Sequence, residues 1–123
     1  MPKKILIVDD EPNILKALES RLAHEKYAVV IASNGREGYE MAASEQPDLI
    51  IVDALMPEMT GYQLVDKLRE RTDKMAKVPI IVISARPSIK KFFSIWKIHA
   101  FLEKPFGPED LMARVRECLG DKK

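Results

Sequence analysis

Five short apolar runs set the strongest limit on what this chain can fold into. They lie at residues 5–8, 28–32, 49–52, 79–83 and 100–102. The first, third and fourth are dense in Ile, Val and Leu without polar alternation, which is typical of strands buried on both faces of a parallel sheet. Segments with helical spacing of apolar residues separate the runs. The sequence therefore predicts an α/β fold in which strands and helices alternate.

Helix-start signals support this alternation. Pro12 and Pro108 suit the first turns of helices, where the missing N–H costs nothing. Thr60 and Gln63 have the spacing of a capping box, and Asn34 with Glu37 resembles one. We expect helices to begin at these positions.

Composition narrows the class of protein. A length of 123 residues predicts one domain. The chain has 20 Lys and Arg residues and 19 Asp and Glu residues, and this charge balance predicts no direct nucleic-acid binding by the chain. The single cysteine, Cys118, excludes an internal disulfide and a multi-cysteine metal site. The apolar stretch 5–8 is too short for a signal peptide, and no run is long enough to span a membrane. We expect a cytoplasmic domain over residues 1–120, followed by a polar tail over 121–123.

Polar residues at the ends of the apolar runs point to chemistry. They are Asp9, Asp10, Asp53, Ser84 and Lys104. In a parallel sheet the carboxyl ends of the strands share one edge, so these side chains are expected to converge there. Three crowded carboxylates repel one another unless positive charge joins them, and an all-oxygen site suits Mg²⁺ better than Zn²⁺. Such a set has the parts that phosphoryl transfer needs.

Each of these residues also has a structural interpretation. Taken alone, Asp10 suits a helix cap, Ser84 a turn, and Lys104 a solvated surface charge. Their joint placement at one edge of the sheet favours the functional interpretation.

The sequence resembles the receiver domains of bacterial two-component response regulators, over essentially its whole length. The matching segments are ILIVDDEP at 5–12, PDLIIVD at 47–53, MP at 56–57 with Gly61, PIIVISA at 79–85 and KPF at 104–106. The resemblance implies a doubly wound, flavodoxin-like (βα)5 sandwich of three layers with strand order 2-1-3-4-5. It also implies a cis peptide bond at Lys104-Pro105, since X–Pro bonds tolerate cis cheaply.

The resemblance implies roles for individual residues. Asp53 corresponds to the aspartate that accepts a phosphoryl group from a histidine kinase or phosphotransfer protein. Asp10 corresponds to a direct Mg²⁺ ligand, Asp9 to a ligand acting through water, and the Leu55 backbone carbonyl to a further ligand. Ser84 and Lys104 correspond to the residues that contact phosphoryl oxygens, and Phe101 to the aromatic switch. The implied output surface is formed by the fourth helix, fifth strand and fifth helix, and it would act on a downstream protein or output domain.

Two other functions are open to a chain of this pattern. One is a scaffold of the same fold that signals through its fourth helix without phosphorylation, although such a protein has no need for repelling carboxylates. The other is a phosphatase with an Asp nucleophile, but Leu55 stands where such an enzyme has its second Asp. We therefore expect a switch rather than a turnover enzyme.

The segment after Ser84 departs from the family pattern. It is about two residues short, and the fourth helix, expected over about 88–96, carries Phe92, Phe93, Ile95 and Trp96. Either these side chains repack the core, or some are exposed and form a surface for a partner or a homodimer.

Overall fold

The computed structural model describes residues 2–56, 59–93 and 98–120 and has one five-stranded parallel sheet. The strands are β1 (Lys4–Val8), β2 (Ala28–Ala32), β3 (Leu49–Asp53), β4 (Ile80–Ser84) and β5 (Ala100–Glu103). They pair in the order β2-β1-β3-β4-β5. The predicted fold class and strand order are confirmed.

Helical segments connect the strands. The α-helices are α1 (Pro12–His24), α2 (Gly35–Glu45), α3 (Gly61–Arg69) and α4 (Pro108–Leu119). Two 3-10 helices cover Lys74–Lys77 and Pro87–Phe93. No helix in the described parts of the chain is long and apolar enough to cross a membrane.

The capping signals act where the sequence places them. Pro12 and Pro108 are the first residues of α1 and α4. At α3 the Thr60 hydroxyl accepts from the Gln63 N–H while the Gln63 side chain accepts from the Thr60 N–H, a complete capping box. At α2 the Asn34 side chain accepts from the Glu37 N–H, but the Glu37 carboxylate accepts from Ser33 instead.

The strands bury alternate residues on opposite faces of the sheet. One face packs on α2, α3 and the Pro87–Phe93 helix, with Val52 and Leu64 among its buried residues. The other face packs on α1 and α4, with Ile51 and Leu111 among its buried residues. The core therefore consists of two apolar layers that hold the strand ends in fixed positions.

The helix after β4 differs from the expectation for 88–96. The described part is a 3-10 helix over Pro87–Phe93, and Ile95 and Trp96 lie outside the described residues. A 3-10 helix rises about 2.0 Å per residue against about 1.5 Å for an α-helix, so fewer residues cover a given distance. This geometry suits a connection that is short for its fold.

Two aromatic residues of this segment, Phe92 and Phe93, are described, and they differ in exposure. Phe93 is 2% exposed and belongs to the core, whereas Phe92 is 53% exposed. One of these adjacent rings therefore packs in the core, as the first interpretation expects, and the other is exposed, as the second interpretation requires.

Candidate functional site

The carboxyl edge of the sheet gathers the predicted polar residues. Asp53 and Ser84 are the last residues of β3 and β4, Asp9 follows β1, and Lys104 follows β5. Backbone hydrogen bonds extend the sheet past these ends, from the Lys104 N–H to the Ser84 carbonyl at 2.7 Å and from the Ala54 N–H to the Ile83 carbonyl at 2.9 Å. Strand register thus determines which side chains meet.

Lys104 contacts three carboxylates. Its Nζ lies 2.8 Å from Glu11 Oε1, 3.1 Å from Asp9 Oδ2 and 3.4 Å from Asp53 Oδ2. The Lys104-Pro105 peptide bond that follows is cis, as the resemblance implies. One ammonium group therefore joins acids that come from β3 and from the end of β1.

The three predicted aspartates form one cluster. A carboxylate oxygen of each of Asp9, Asp10 and Asp53 lies within 4.8 Å of the others. Asp9 and Asp53 are buried and Asp10 is exposed, so the cluster opens to solvent on one side. The donor set consists of oxygen alone, which fits a hard cation such as Mg²⁺.

Burial in this crowded site shifts the pKa values of two carboxyl groups, those of Asp53 and Asp9. Burial and the charge of Asp9 raise the pKa of Asp53 to about 6, although Lys104 opposes the rise. Burial also raises the pKa of Asp9, against hydrogen bonds from the Glu11 N–H and Lys104. The site thus holds more negative charge than Lys104 alone compensates.

The charged form of Lys104 is favoured in this site, whereas the charged forms of Asp9 and Asp53 are disfavoured. Burial disfavours the charge of Lys104, but its contacts with Glu11 and Asp9 and the charge of Asp53 outweigh that effect and raise its pKa. Lys104 is therefore a permanent cation at neutral pH.

The backbone after β3 fixes the position of Asp53. The Leu55 N–H donates to Asp53 Oδ1 at 3.4 Å, and the Leu55 side chain points to solvent. Gly61, the first residue of α3, packs directly on this turn: a Cβ there would lie 2.4 Å from the Asp53 carbonyl oxygen. Only glycine lets α3 approach so closely.

Ser84 is oriented toward the segment that follows it. Its Oγ accepts from the Arg86 N–H at 3.0 Å and lies 3.5 Å from the Arg86 carbonyl oxygen. That carbonyl in turn accepts from the Ile89 N–H at 3.3 Å. The Ser84 hydroxyl is thereby connected to the Pro87–Phe93 helix.

Phe101 packs against Phe93, the last residue of this helix. It is partly buried on β5, and its ring centroid is 6.1 Å from that of Phe93, which lies 5.9 Å from the ring of Tyr62. Phe93 therefore packs between β5 and α3.

Sequence reasoning assigned no role to two residues of the site, Glu11 and Gly61. Glu11 makes the shortest contact of Lys104, and Gly61 sets the separation of α3 from Asp53. Both lie inside the motifs that carry the family resemblance. Their signal was the position of Glu11 directly after the Asp pair and of Gly61 directly after a predicted cap.

Residues 5–116 match the family model of the response regulator receiver domain. The Guillardia theta protein named "Probable transcriptional regulator ycf27" is 39% identical over 119 residues, which cover 95% of this chain and 45% of that protein. The chain spans about half the length of the curated relatives it matches.

Solved structures agree with this match. The chemotaxis protein CheY4 of Vibrio cholerae superposes with a TM-score of 0.88 at 30% identity, covering 96% of this chain and 99% of that chain. The response regulator TrrA of Thermotoga maritima, solved in complex with Mg²⁺-BeF, has a TM-score of 0.85 at 31% identity, covering 94% of this chain and 98% of that chain.

Proposed function

The chain belongs to the family of response regulator receiver domains, and from this premise we propose that it accepts a phosphoryl group on Asp53 in a Mg²⁺-dependent reaction. The donor is a phosphohistidine on a histidine kinase or phosphotransfer protein. The phosphorylated state then changes the affinity for a downstream protein or output domain.

One observation carries this proposal: a buried carboxylate, Asp53, shares its site with two further aspartates and a lysine at 3.4 Å. A structural role alone does not account for the set, because crowded carboxylates repel one another, and the charge of Asp9 adds to the rise in the pKa of Asp53 that burial causes. The arrangement suits a site that is to receive a cation and a phosphoryl group.

The transfer step uses the ionised form of Asp53. With a pKa of about 6, the carboxylate is mostly ionised at neutral pH. One of its oxygens attacks phosphorus and the phosphorus–nitrogen bond of the donor breaks. The nitrogen of the leaving imidazole takes a proton from solvent. Lys104, adjacent to Asp53 Oδ2, then contacts an oxygen of the transferred group.

Asp9, Asp10 and Asp53, with the Leu55 carbonyl, are the residues that would hold Mg²⁺. The ion supplies charge neutralisation for the phosphoryl oxygens when it is bound. The family resemblance assigns Asp9 a role through water; one of its oxygens contacts Lys104 and the other accepts from the Glu11 N–H.

The switch follows from the bonds of Ser84. To donate to a phosphoryl oxygen, its hydroxyl must turn its proton away from the Arg86 carbonyl, which also accepts from the Ile89 N–H of the Pro87–Phe93 helix. Phe101 then repacks against Phe93. Only the phosphorylated state gains these contacts, so phosphorylation shifts an existing equilibrium between two conformations.

The proposal also covers the cellular compartment, the domain bounds and the output surface. The chain acts in the cytoplasm as a switch rather than a turnover enzyme, with residues 1–120 as the receiver and 121–123 as a tail outside the described residues. Signal output passes through the face formed by the helix after β4, by β5 and by α4.

The test is incubation with acetyl phosphate and Mg²⁺, followed by intact mass spectrometry. We expect wild type to gain the mass of one phosphoryl group and Asp53→Asn to gain none. Asp66→Asn, which changes an exposed aspartate of α3, is the matched control and should react like wild type. An adduct on Asp53→Asn would overturn the assignment of Asp53.

A short-lived phosphate and a phosphorylation-independent scaffold would both give no adduct. Beryllofluoride with Mg²⁺ separates them, since it mimics the acyl phosphate without hydrolysing. A thermal shift in wild type but not in Asp53→Asn supports the switch; equal melting temperatures with and without the mimic in wild type support the scaffold.

A further inference from the structure

An open groove lies between α3 and the Pro87–Phe93 helix, on the side of the sheet opposite α1. Its volume is about 450 Å³, and its lining includes Leu55, Thr60, Tyr62, Ile89, Phe92 and Phe93. The phosphoryl-transfer step uses none of these side chains, and the proposed switch uses only Phe93. The groove therefore calls for a separate explanation.

Exposed apolar surface is concentrated at this groove. Four large hydrophobic side chains stand out as exposed in the described parts of the chain, and three of them, Leu55, Tyr62 and Phe92, line it. The fourth, Ile31, lies on the edge strand β2. Clustered exposed apolar side chains on a folded domain mark interaction sites, whereas scattered ones need no explanation.

Positive charge is concentrated on one wall of the same groove. Between Asp73 and Glu103 the sequence contains six basic residues and no acidic residue, although the chain as a whole is nearly neutral. Three of the six, Arg86, Lys90 and Lys91, are exposed on the segment that forms one wall. The Lys91 ammonium lies 5.7 Å from the centre of the Phe92 ring.

We propose that this groove is a docking site for a partner segment that presents apolar side chains flanked by Asp and Glu. Aromatic side chains such as Phe92 and Tyr62 serve as anchors in protein interfaces, and a charged rim selects partners and accelerates association. An amphipathic helix with an acidic border matches both features.

A second copy of this chain is a poorer occupant. A twofold interface brings the same patch of each copy together, so the basic patch of one copy would lie against the basic patch of the other. Like charges placed opposite one another at an interface oppose binding. Charge complementarity therefore favours a different, acidic partner.

This inference goes beyond the proposed function and does not depend on it. It concerns side chains outside the aspartate cluster, and its test uses unphosphorylated protein without Mg²⁺. A failure to phosphorylate Asp53 would leave it intact, and a failure to bind here would leave the phosphoryl-transfer proposal intact.

The experiment is a fluorescence anisotropy titration with a labelled synthetic helical peptide. The peptide has Leu and Phe four residues apart, bordered by Glu, and a matched peptide has Lys in place of every Glu. We expect the acidic peptide to bind at least about tenfold more tightly than the basic one. Phe92→Ala and Lys90→Glu should each weaken its binding by about tenfold or more.

Two control variants separate the groove from general surface effects. Ile31→Ala removes an exposed apolar side chain from β2, and Lys16→Glu reverses an exposed charge on α1, on the opposite face of the sheet. Both should bind the acidic peptide like wild type. Amide chemical shifts should move at Tyr62 and Ile89, on the two walls of the groove.

Several outcomes would overturn the proposal. They are equal binding of the two peptides, no binding, equal losses in the control variants, or shift changes confined to the separate cavity lined by Ile14 and Phe106. Tighter binding to phosphatidylglycerol vesicles or to a single-stranded oligonucleotide would assign the patch to another class of partner. A solution dimer that Phe92→Ala abolishes would assign it to a second copy.

Discussion

Asp53 is a carboxylate that the fold holds where its ionisation is unfavourable. Its side chain is almost fully buried, a second buried carboxylate lies beside it, and one lysine serves both. The folded state therefore binds a proton at Asp53 more tightly than the unfolded chain does, with a pKa of about 6 against 3.8. An ionised Asp53 thus lowers the stability of the fold.

This shift predicts that Asp53→Asn is more stable than wild type at pH 7.5 in metal-free buffer, by about 1–3 kcal/mol. Between pH 3.8 and 6 the folded state binds more protons at Asp53 than the unfolded state does. The contribution of Asp53 to the free energy of unfolding therefore falls as the pH rises through that window. The advantage of the Asn variant should shrink as the pH is lowered from 7.5 toward 4. Urea unfolding of both proteins across this range measures it.

Asp66→Asn is the control for this series, because Asp66 is exposed on α3. Its stability relative to wild type should change little between pH 7.5 and 5. A constant difference between Asp53→Asn and wild type over the same range would contradict the burial argument.

Mg²⁺ should reverse the order of stability. An ion that binds the folded state stabilises it in proportion to the logarithm of its concentration above the dissociation constant. Because Asp53→Asn removes one of three carboxylates, we expect added Mg²⁺ to raise the melting temperature of wild type more than that of the variant. Thermal unfolding with increasing MgCl₂, and with EDTA as the metal-free reference, tests this; equal shifts in both proteins would exclude Asp53 from the metal site.

At the scale of elements, the junction of β3 with α3 controls the position of the candidate phosphoacceptor. The Gly61 N–H donates to the Ala54 carbonyl at 2.9 Å, and a Cβ on Gly61 would lie 2.8 Å from the Ala54 Cα. Both contacts are with backbone, which cannot move away as a flexible side chain can. Helix α3 and the turn after Asp53 are therefore positioned together.

Gly61→Ala should destabilise the protein by about 1–3 kcal/mol, as overpacking against fixed atoms does. It should also slow phosphorylation by acetyl phosphate more than its loss of stability explains, since the Asp53 turn must shift. Gly107→Ala is the matched control, because a Cβ there meets nothing closer than 3.5 Å. Equal stability of the two variants in urea would show that α3 can retreat from the turn.

The capping box of α3 gives a second prediction at this scale. Thr60→Ala removes the acceptor of the Gln63 N–H, a bond of 3.1 Å, and should cost about 1 kcal/mol of stability. Thr72→Ala, at an exposed position after α3, should cost much less. Chemical denaturation compares the two, and equal losses would show that the box contributes nothing.

At the scale of the whole molecule, stability should be graded across the sheet. Every residue of β3 and β4 is buried, as is nearly all of β1, whereas the edge strands β2 and β5 are mostly half-buried. The two apolar layers cover the central strands completely and the edges in part. Opening an edge therefore exposes less apolar surface than opening the centre.

Native-state hydrogen exchange should reflect this gradient. Amides of β1, β3 and β4 should exchange only through global unfolding, and those of β5 through smaller openings with lower free energy. Exchange of β5 with the same free energy and denaturant dependence as β3 would show that the sheet opens as one unit.

Local pattern was enough to predict the strands, the helix starts and the chemistry of the carboxyl edge. A strand buried on both faces requires an unbroken apolar run, and in a parallel sheet the polar residue that ends such a run lies at one shared edge. For this reason the sequence by itself determined the fold class and brought Asp9, Asp53 and Lys104 together, while their roles remain predictions until phosphorylation is measured.

Other features depended on contacts between residues that are distant in the chain. Which of Phe92 and Phe93 enters the core depends on the packing of Tyr62 and Phe101 around the Pro87–Phe93 helix, and neither ring can be placed from local periodicity. The contact of Lys104 with Glu11 likewise depends on how two loops meet above the sheet. Only the tertiary structure decided these contacts, because side-chain packing between elements is set by three-dimensional proximity and not by spacing along the sequence.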